Sequence, residues 1–234
     1  YYALYTLFRP RDLTLLHLSD FKLLVNPEDE GLASFLITTG VYEPFEIDLI
    51  ERVLRPGDTV LDVGANIGYH SVLLARAVGS TGQVIACEPC PDNYRLLCQN
   101  LELNNLTDRA RIVECAAGQA SGTARLYLNR HNRGDHRIFP KSGATQRSVE
   151  IQIQPLDDLV PSGTPVKLVK MDIQGAEWIA LQGMTRILEE NSDIHIFMEF
   201  WPDAMRDSGT DPSDFIDFIS NNRFQACRIT EGTE

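Results

Sequence analysis

The stretch "DVGANIGYH", residues 62–70, follows an apolar run and carries an acid, Asp62, then Gly64, Ala65, Asn66 and Gly68. Glycine lets a backbone turn sharply and approach a ligand closely. Asn is among the few other residues that tolerate positive φ. Asn66 therefore fills the centre of the turn and adds a side-chain amide. A second marker, Glu88 with Pro89 behind it, ends the next apolar run in "VIACEP". A carboxylate there can accept hydrogen bonds from both hydroxyls of a ribose. The two markers, in this order, point to a ligand that contains a nucleoside.

The chemistry of the loop bears on which nucleoside. A pyrophosphate is usually held by G-x-G-x-x-G at a helix N-terminus. Here the spacing is G-x-x-x-G, with Asp62 two residues before the first glycine. S-adenosylmethionine has no phosphate, and a carboxylate near the loop suits its ammonium and sulfonium. S-adenosylmethionine is therefore the expected cofactor. Because Glu88 would serve NAD equally well, an NAD-dependent oxidoreductase stands as the rival reading. A non-catalytic S-adenosylmethionine-binding module is a further one.

Methyl transfer to an alcohol is an in-line displacement at the sulfonium carbon. It needs an aligned oxygen and little water, and a base helps. Asp172 ends "VKLVKMD", on the ligand side of a parallel sheet. It is the first candidate for base or ammonium contact, against a helix N-cap role. Glu199 ends "IHIFME" and is the second candidate. Glu177 lies in a first helical turn and reads as structural. Asp172 and Glu199 together could ligate Mg²⁺, but nothing else supports an ion, so no metal is expected. His195 reads as a satisfied core residue.

The loop "NRHNRGDHRIFPKSGATQR" carries Arg130, Arg133, Arg137, Lys141, Arg147, His131 and His136, with Asp135 its only acid. It is either a solvated mobile loop or a lid over an anionic or sugar-rich acceptor. In the second case His136 or His131 is the expected general base.

These residues need a scaffold. "LTLLHL" and "KLLV" around "SDF" predict a β-hairpin, and "EPFEIDLIERVL" a helix. Strands "TVLDVG", "GQVIACEP" and "DRARIVECAAG" then alternate with helices "HSVLLARAV" and "PDNYRLLCQNLELNN". Two strands, "TARLYLN" and "SVEIQIQPL", flank the polar loop. The alternation resumes with "VKLVKMDI", the helix "AEWIALQGMTRIL", "IHIFMEF" and the helix "DPSDFIDFISNN". "FQACRIT" is expected as one more strand. Such alternation predicts an α/β fold with a mostly parallel sheet and helices on both faces.

The 234 residues suffice for one sizeable α/β domain, and the net charge of −12 weighs against nucleic acid as substrate. No apolar run approaches the roughly 20 residues of a membrane span. "YYALYTLFRPR" lacks the order of a signal peptide and starts without Met, as a trimmed chain would. Five cysteines (Cys87, Cys90, Cys98, Cys115 and Cys227) are expected as reduced thiols in a cytoplasmic protein. "CEPC" has no second pair and no nearby His, which argues against a metal or redox role.

"VYEPFE", "PGDTVLDVGANIGYHSVLLA", "VIACEP", "AAG", "LDDL" and "VKMDIQGAEWIALQGM" together resemble the FkbM-type methyltransferases. The resemblance runs from about Val41 to Glu199, with the polar loop unmatched. It implies a Rossmann-like class I methyltransferase that methylates a hydroxyl of a small molecule, secondary metabolite or glycan. It implies that Asp62, Gly64, Asn66 and Gly68 form the cofactor loop and that Glu88 holds the ribose. Ala116 and Ala117 would lie near the adenine. Tyr42 and Glu43 would cover the methionine end. Family members often carry Glu where this chain has Gln174, which removes one carboxylate. The implied organisation is an N-terminal β-hairpin extension over 1–40 and a methyltransferase domain over 41–234, with an insert at about 118–155. The expected partner is a small-molecule or glycan acceptor, without nucleic acid or membrane. An exposed sheet edge offers a route to a homo-oligomer.

Overall fold

The computed structural model describes residues 2–140, 146–222 and 224–229, and Lys141 of the basic loop lies outside them. The chain opens with α1 (Tyr2–Phe8) and an antiparallel hairpin of β1 (Thr14–His17) and β2 (Lys22–Val25). Helices α2 (Leu32–Thr39) and α3 (Pro44–Val53) follow. Next come β3 (Thr59–Val63), α4 (Tyr69–Ala77), β4 (Gln83–Cys87), α5 (Pro91–Leu103) and β5 (Ala110–Val113). β6 (Ala116–Ala117), β7 (Gly122–Tyr127) and β8 (Ser148–Gln154) form a separate sheet in the order β6-β8-β7. The rest is α6 (Leu156–Leu159), β9 (Leu168–Met171), α7 (Glu177–Gln182), α8 (Thr185–Glu190), β10 (His195–Met198), α9 (Pro202–Asp207) and α10 (Pro212–Asn221).

The main sheet is wholly parallel, in the order β10-β9-β3-β4-β5. From β3 the chain builds outward through β4 and β5, then returns to the other side of β3 with β9 and β10. A ligand crevice is expected where the order reverses, beyond the carboxyl ends of β3 and β9.

Side chains alternate between the faces of a strand. Val60, Val84, Ala86 and Leu168 pack with α4, α5 and the hairpin residues Leu23 and Val25. Leu61, Val63, Ile85, Val169 and Met171 pack on the opposite face with residues of α6, α7, α8 and α10. Each such side chain contributes about 1.5–3 kcal/mol when fully buried. Asp62 and Lys170 are polar intrusions on the first face, opposite one another in the β3–β9 register.

Asn100 on α5 joins the hairpin to the loop after β3. Its amide exchanges hydrogen bonds with Leu24 (N–H at 2.6 Å and C=O at 3.0 Å) and also donates to the Ile67 carbonyl at 2.7 Å.

Several expectations need correction. The third strand is not continuous: β5 belongs to the main sheet, whereas β6 pairs with Ile153 and Gln154 of β8. The helix expected over "AEWIALQGMTRIL" breaks into α7 and α8 at Gly183, where an added Cβ would collide with the carbonyl of Gly118. Residues 224–229 form no strand. Helices α1, α2, α6 and α9 lie outside the elements that the sequence predicts. His195 is half-buried and its Nδ1 has no hydrogen-bond partner, so it is not a satisfied core residue. Among the described residues, no helix is long and apolar enough to cross a membrane.

Candidate active site

A cavity of about 490 Å³ opens at the reversal point. That is a size common for small-molecule sites. Its wall begins with the loop after β3. Gly64, Asn66 and Gly68 have φ of 81°, 52° and 90°. The backbone N–H groups of Gly64 and Ala65 both donate to the Cys87 carbonyl at 3.0 Å, which folds the loop over the end of β4. Gly64 admits no side chain, because a Cβ would strike the Asp172 carbonyl.

Glu88 lies at the centre of this wall and is 5% exposed. Its Oε2 accepts the Asn66 N–H and its Oε1 the Cys90 N–H, both at 2.8 Å. Burial pushes its carboxyl up to about 7, although both backbone donors oppose the shift. Pro89, Ala116 and Ala117 continue the wall beside it.

The floor is charged. Lys170, only 6% exposed, lines the cavity with its ammonium 3.8 Å from Asp172 Oδ2. Asp62 is fully buried beneath it and does not line the cavity. Its Oδ2 accepts the Ser71 hydroxyl at 2.5 Å and its Oδ1 has no partner. Burial raises the Asp62 carboxyl, while Lys170 and Ser71 act against the rise. For Lys170, burial favours the neutral amine, but Asp172 and Asp62 outweigh it and raise its pKa.

Asp172 lines the cavity, as expected from its position after β9. Gln174, at φ 57°, donates its amide to Asp172 Oδ1 at 2.6 Å and approaches Glu199 Oε2 at 3.3 Å. Glu199 is exposed and outside the wall, so it reaches the cavity only through Gln174. Partial desolvation on the side facing Gln174 raises its carboxyl, with the charge of Asp172 adding to the effect. Glu177 is buried and accepts the Ile173 N–H at 3.1 Å, as a structural acid would.

Tyr42 lines the cavity and its N–H donates to the Tyr69 hydroxyl at 3.1 Å. Glu43 does not line it, and neither does Gly68, whose place is the entry to α4. Burial, with Glu43 alongside, raises the Tyr42 phenol.

The basic loop closes the cavity with Asn132, Arg133, Gly134 and His136. It is anchored. The Glu30 N–H donates to the His131 carbonyl at 2.7 Å, and Asn93 Nδ2 to the Arg133 carbonyl at 3.1 Å. Arg137 pairs with Asp135 at 2.7 Å and stacks 4.5 Å over the Trp201 ring. Trp201 thus ties the loop to the start of α9.

His136 differs from its expected role. Its Nδ1 accepts the Asn129 N–H at 3.1 Å. That lone pair is used, so the neutral ring carries its proton on Nε2 and presents a donor. Burial, then Arg133, lowers its pKa to about 4. The geometry therefore opposes a general base here. His131 also lines the cavity at its exposed rim, with Nδ1 3.3 Å from Glu30 Oε2.

Sequence reasoning missed Lys170, Tyr69 and Asn93. For Lys170 a signal existed: a lysine inside the otherwise apolar "LVKM", one residue short of the strand's end.

The model of the methyltransferase FkbM domain matches residues 62–226. The chain belongs to the FkbM methyltransferase family, S-adenosylmethionine-dependent enzymes. Its similarity to methyltransferase sdnD of Sordaria araneosa is 26% identity over 180 residues, covering 63% of this chain and 68% of that protein. With hexuronic acid methyltransferase AglP of Haloferax volcanii it shares 28% identity over 185 residues, covering 75% and 68%. The crystal structure of methyltransferase FkbM from Methylobacillus flagellatus KT aligns at a TM-score of 0.48 and 20% identity. That alignment covers 81% of this chain and 45% of that one, so the chain spans less than half of that protein.

Proposed function

We propose that this chain transfers a methyl group from S-adenosylmethionine to a hydroxyl oxygen of a small molecule, secondary metabolite or glycan. The observation that carries the reading is Glu88, buried at the cavity wall with each oxygen held by a backbone N–H. Each oxygen keeps a lone pair for one ribose hydroxyl.

The other residues fit the same cofactor. Gly64, Ala65 and Asn66 present close backbone and an amide, and Pro89, Ala116 and Ala117 an apolar surface for the adenine. Asp62, Asp172 and Glu43 outnumber Lys170, which suits a ligand with a net positive charge. In this reading Asp62 and Glu43 act through the field of the floor, Gly68 through the turn into α4, and Tyr42 by covering the methionine end. When bound, S-adenosylmethionine supplies a methyl group on a sulfonium, an electrophile for an aligned oxygen.

Of the acids that line the cavity, Asp172 stands at the end of β9 beside Lys170, and it takes the proton of the acceptor hydroxyl. Gln174 and Lys170 fix its plane. Glu199 holds Gln174 from outside. His136 donates its Nε2 proton to an acceptor oxygen, and Arg133 favours an anionic group. Those two residues, and the similarity to a protein named a hexuronic acid methyltransferase, support a sugar acid as acceptor. The segment 1–40 and the insert of about 118–155 supply this acceptor side. The five free cysteines support a reducing, cytoplasmic setting.

Calorimetric titration of S-adenosylmethionine, with NAD as control, tests the reading. Saturable binding of S-adenosylmethionine that is lost in Glu88→Ala is expected. Preferential binding of NAD would overturn it.

A further inference from the structure

Beside the cavity, the start of α3 and the first turn of α4 bring together Glu43, Glu46 and His70. One ligand atom from each lies within 4.8 Å of the other two. His70 is 7% exposed, and its Nε2 has no hydrogen-bond partner although it is buried. That nitrogen points at Glu43 Oε2, 3.5 Å away. A buried imidazole nitrogen without a partner is costly, and it calls for a ligand.

The backbone agrees. Glu43 holds φ 48°, ψ 56° directly before Pro44. The left-handed region is uncommon for a side-chain-bearing residue, and a helical ψ before proline is disfavoured as well. The fold keeps this conformation and so directs the Glu43 carboxylate towards His70. Charge points the same way. Lys170 is the ammonium that faces Asp172, Asp62, Glu43 and Glu46, so the region carries an excess of carboxylates even with Lys170 present.

We propose that Glu43, Glu46 and His70 form a divalent-cation site. One imidazole and two carboxylates suit Mn²⁺ or Zn²⁺ better than Ca²⁺, which prefers an all-oxygen shell. Water completes the coordination. The ion ties α3 to α4 at the point where His70 and Tyr42 reach the cavity wall. This inference does not depend on the methyl-transfer reading.

Mn²⁺ is the probe, because five free thiols would compete for Zn²⁺. Tag-free, chelator-stripped protein is titrated with MnCl₂ by calorimetry and by loss of the free-ion electron paramagnetic resonance signal. One saturable site per chain is expected. Glu46→Gln, at a half-exposed position, should weaken it at least about tenfold, and His70→Phe should abolish it. Circular dichroism confirms that both variants fold. In wild type, substoichiometric Mn²⁺ should broaden the His70 imidazole resonances and spare those of His17. Absence of saturable binding would overturn the site. So would Mn²⁺ affinity unchanged in Glu46→Gln, or broadening that misses His70.

Discussion

The Asp29 carboxylate accepts the backbone N–H of Arg133, 104 residues later in the chain, at 2.9 Å. The same group accepts the N–H of Gly31 and of Ala33, both at 3.1 Å, at the start of α2. One buried acid thus fastens the basic loop to the N-terminal segment across the cavity mouth. Asp29→Ala leaves three donors without their acceptor and should destabilise the fold by about 1–3 kcal/mol. Chemical denaturation measures that loss. Amide exchange at Arg133 should accelerate more than the global change explains. Equal acceleration throughout the chain would remove Asp29 as the specific fastening.

Gln174 separates two acids, with its amide donating to Asp172 and approaching Glu199. Gln174→Glu places a third carboxylate between them and removes the donor. Asp172 then loses one of the two groups that hold its plane. Turnover should fall by at least about tenfold while S-adenosylmethionine affinity changes little. A matched loss of affinity and turnover would instead place Gln174 in cofactor binding.

The buried Glu88 carboxyl sits at about 7, above its ordinary 4.5. Only the ionised form can accept from two ribose hydroxyls while keeping both backbone donors. Lowering the pH through 7 protonates it, so S-adenosylmethionine affinity should fall on the acid side, approaching about tenfold per pH unit well below that value. Calorimetry between about pH 5.5 and 8.5 reads this directly. Glu88→Gln should bind more weakly and with a flatter profile. A wild-type profile as flat as that of the variant would exclude Glu88 as the titrating group.

Glu177 has one oxygen on the Ile173 N–H and the other buried without a partner. Burial raises its carboxyl from 4.5 to about 7. The folded chain therefore holds this proton more tightly than the unfolded chain does. The sign follows: the associated stability is present below 4.5 and is lost as pH rises through 7, with Glu88 acting in the same direction. His70 and His136, whose pKa burial lowers, act in the opposite direction in both proteins, so the readout is the difference: between about pH 5 and 7.5 the Tm of the ligand-free wild type should fall relative to that of Glu177→Gln. A wild-type Tm that rises relative to that of Glu177→Gln over this range would reverse the assignment.

The parallel core and the glycine turn after β3 were legible because both are local in the chain. Alternating apolar runs gave β3, β4 and β9, and Gly64, Asn66 and Gly68 announced their turn by residue type alone. Four features were not legible, each for a physical reason. Lys170 hides in an apolar strand because Asp62, the acid opposite it, becomes its neighbour only when β3 and β9 pair. The basic loop has the composition of a solvated segment, and what holds it is a distant acid, Asp29. The break at Gly183 answers to the backbone of Gly118, which no helical periodicity encodes. The His136 tautomer likewise depends on a single backbone contact with Asn129.

That meeting of Gly118 and Gly183 has a consequence for how the molecule can change. Gly118 donates its N–H to the Gln154 carbonyl at 3.1 Å, and the Gly183 carbonyl accepts from Asp157 at 2.9 Å. The ribbon of β7 and β8 therefore leaves and rejoins the scaffold at almost one point. Between those anchors its length and sequence can be exchanged as a cassette, provided both glycines stay. On the proposed reading, exchange there would alter the acceptor side of the cavity and leave Gly64, Asn66 and Glu88 in place.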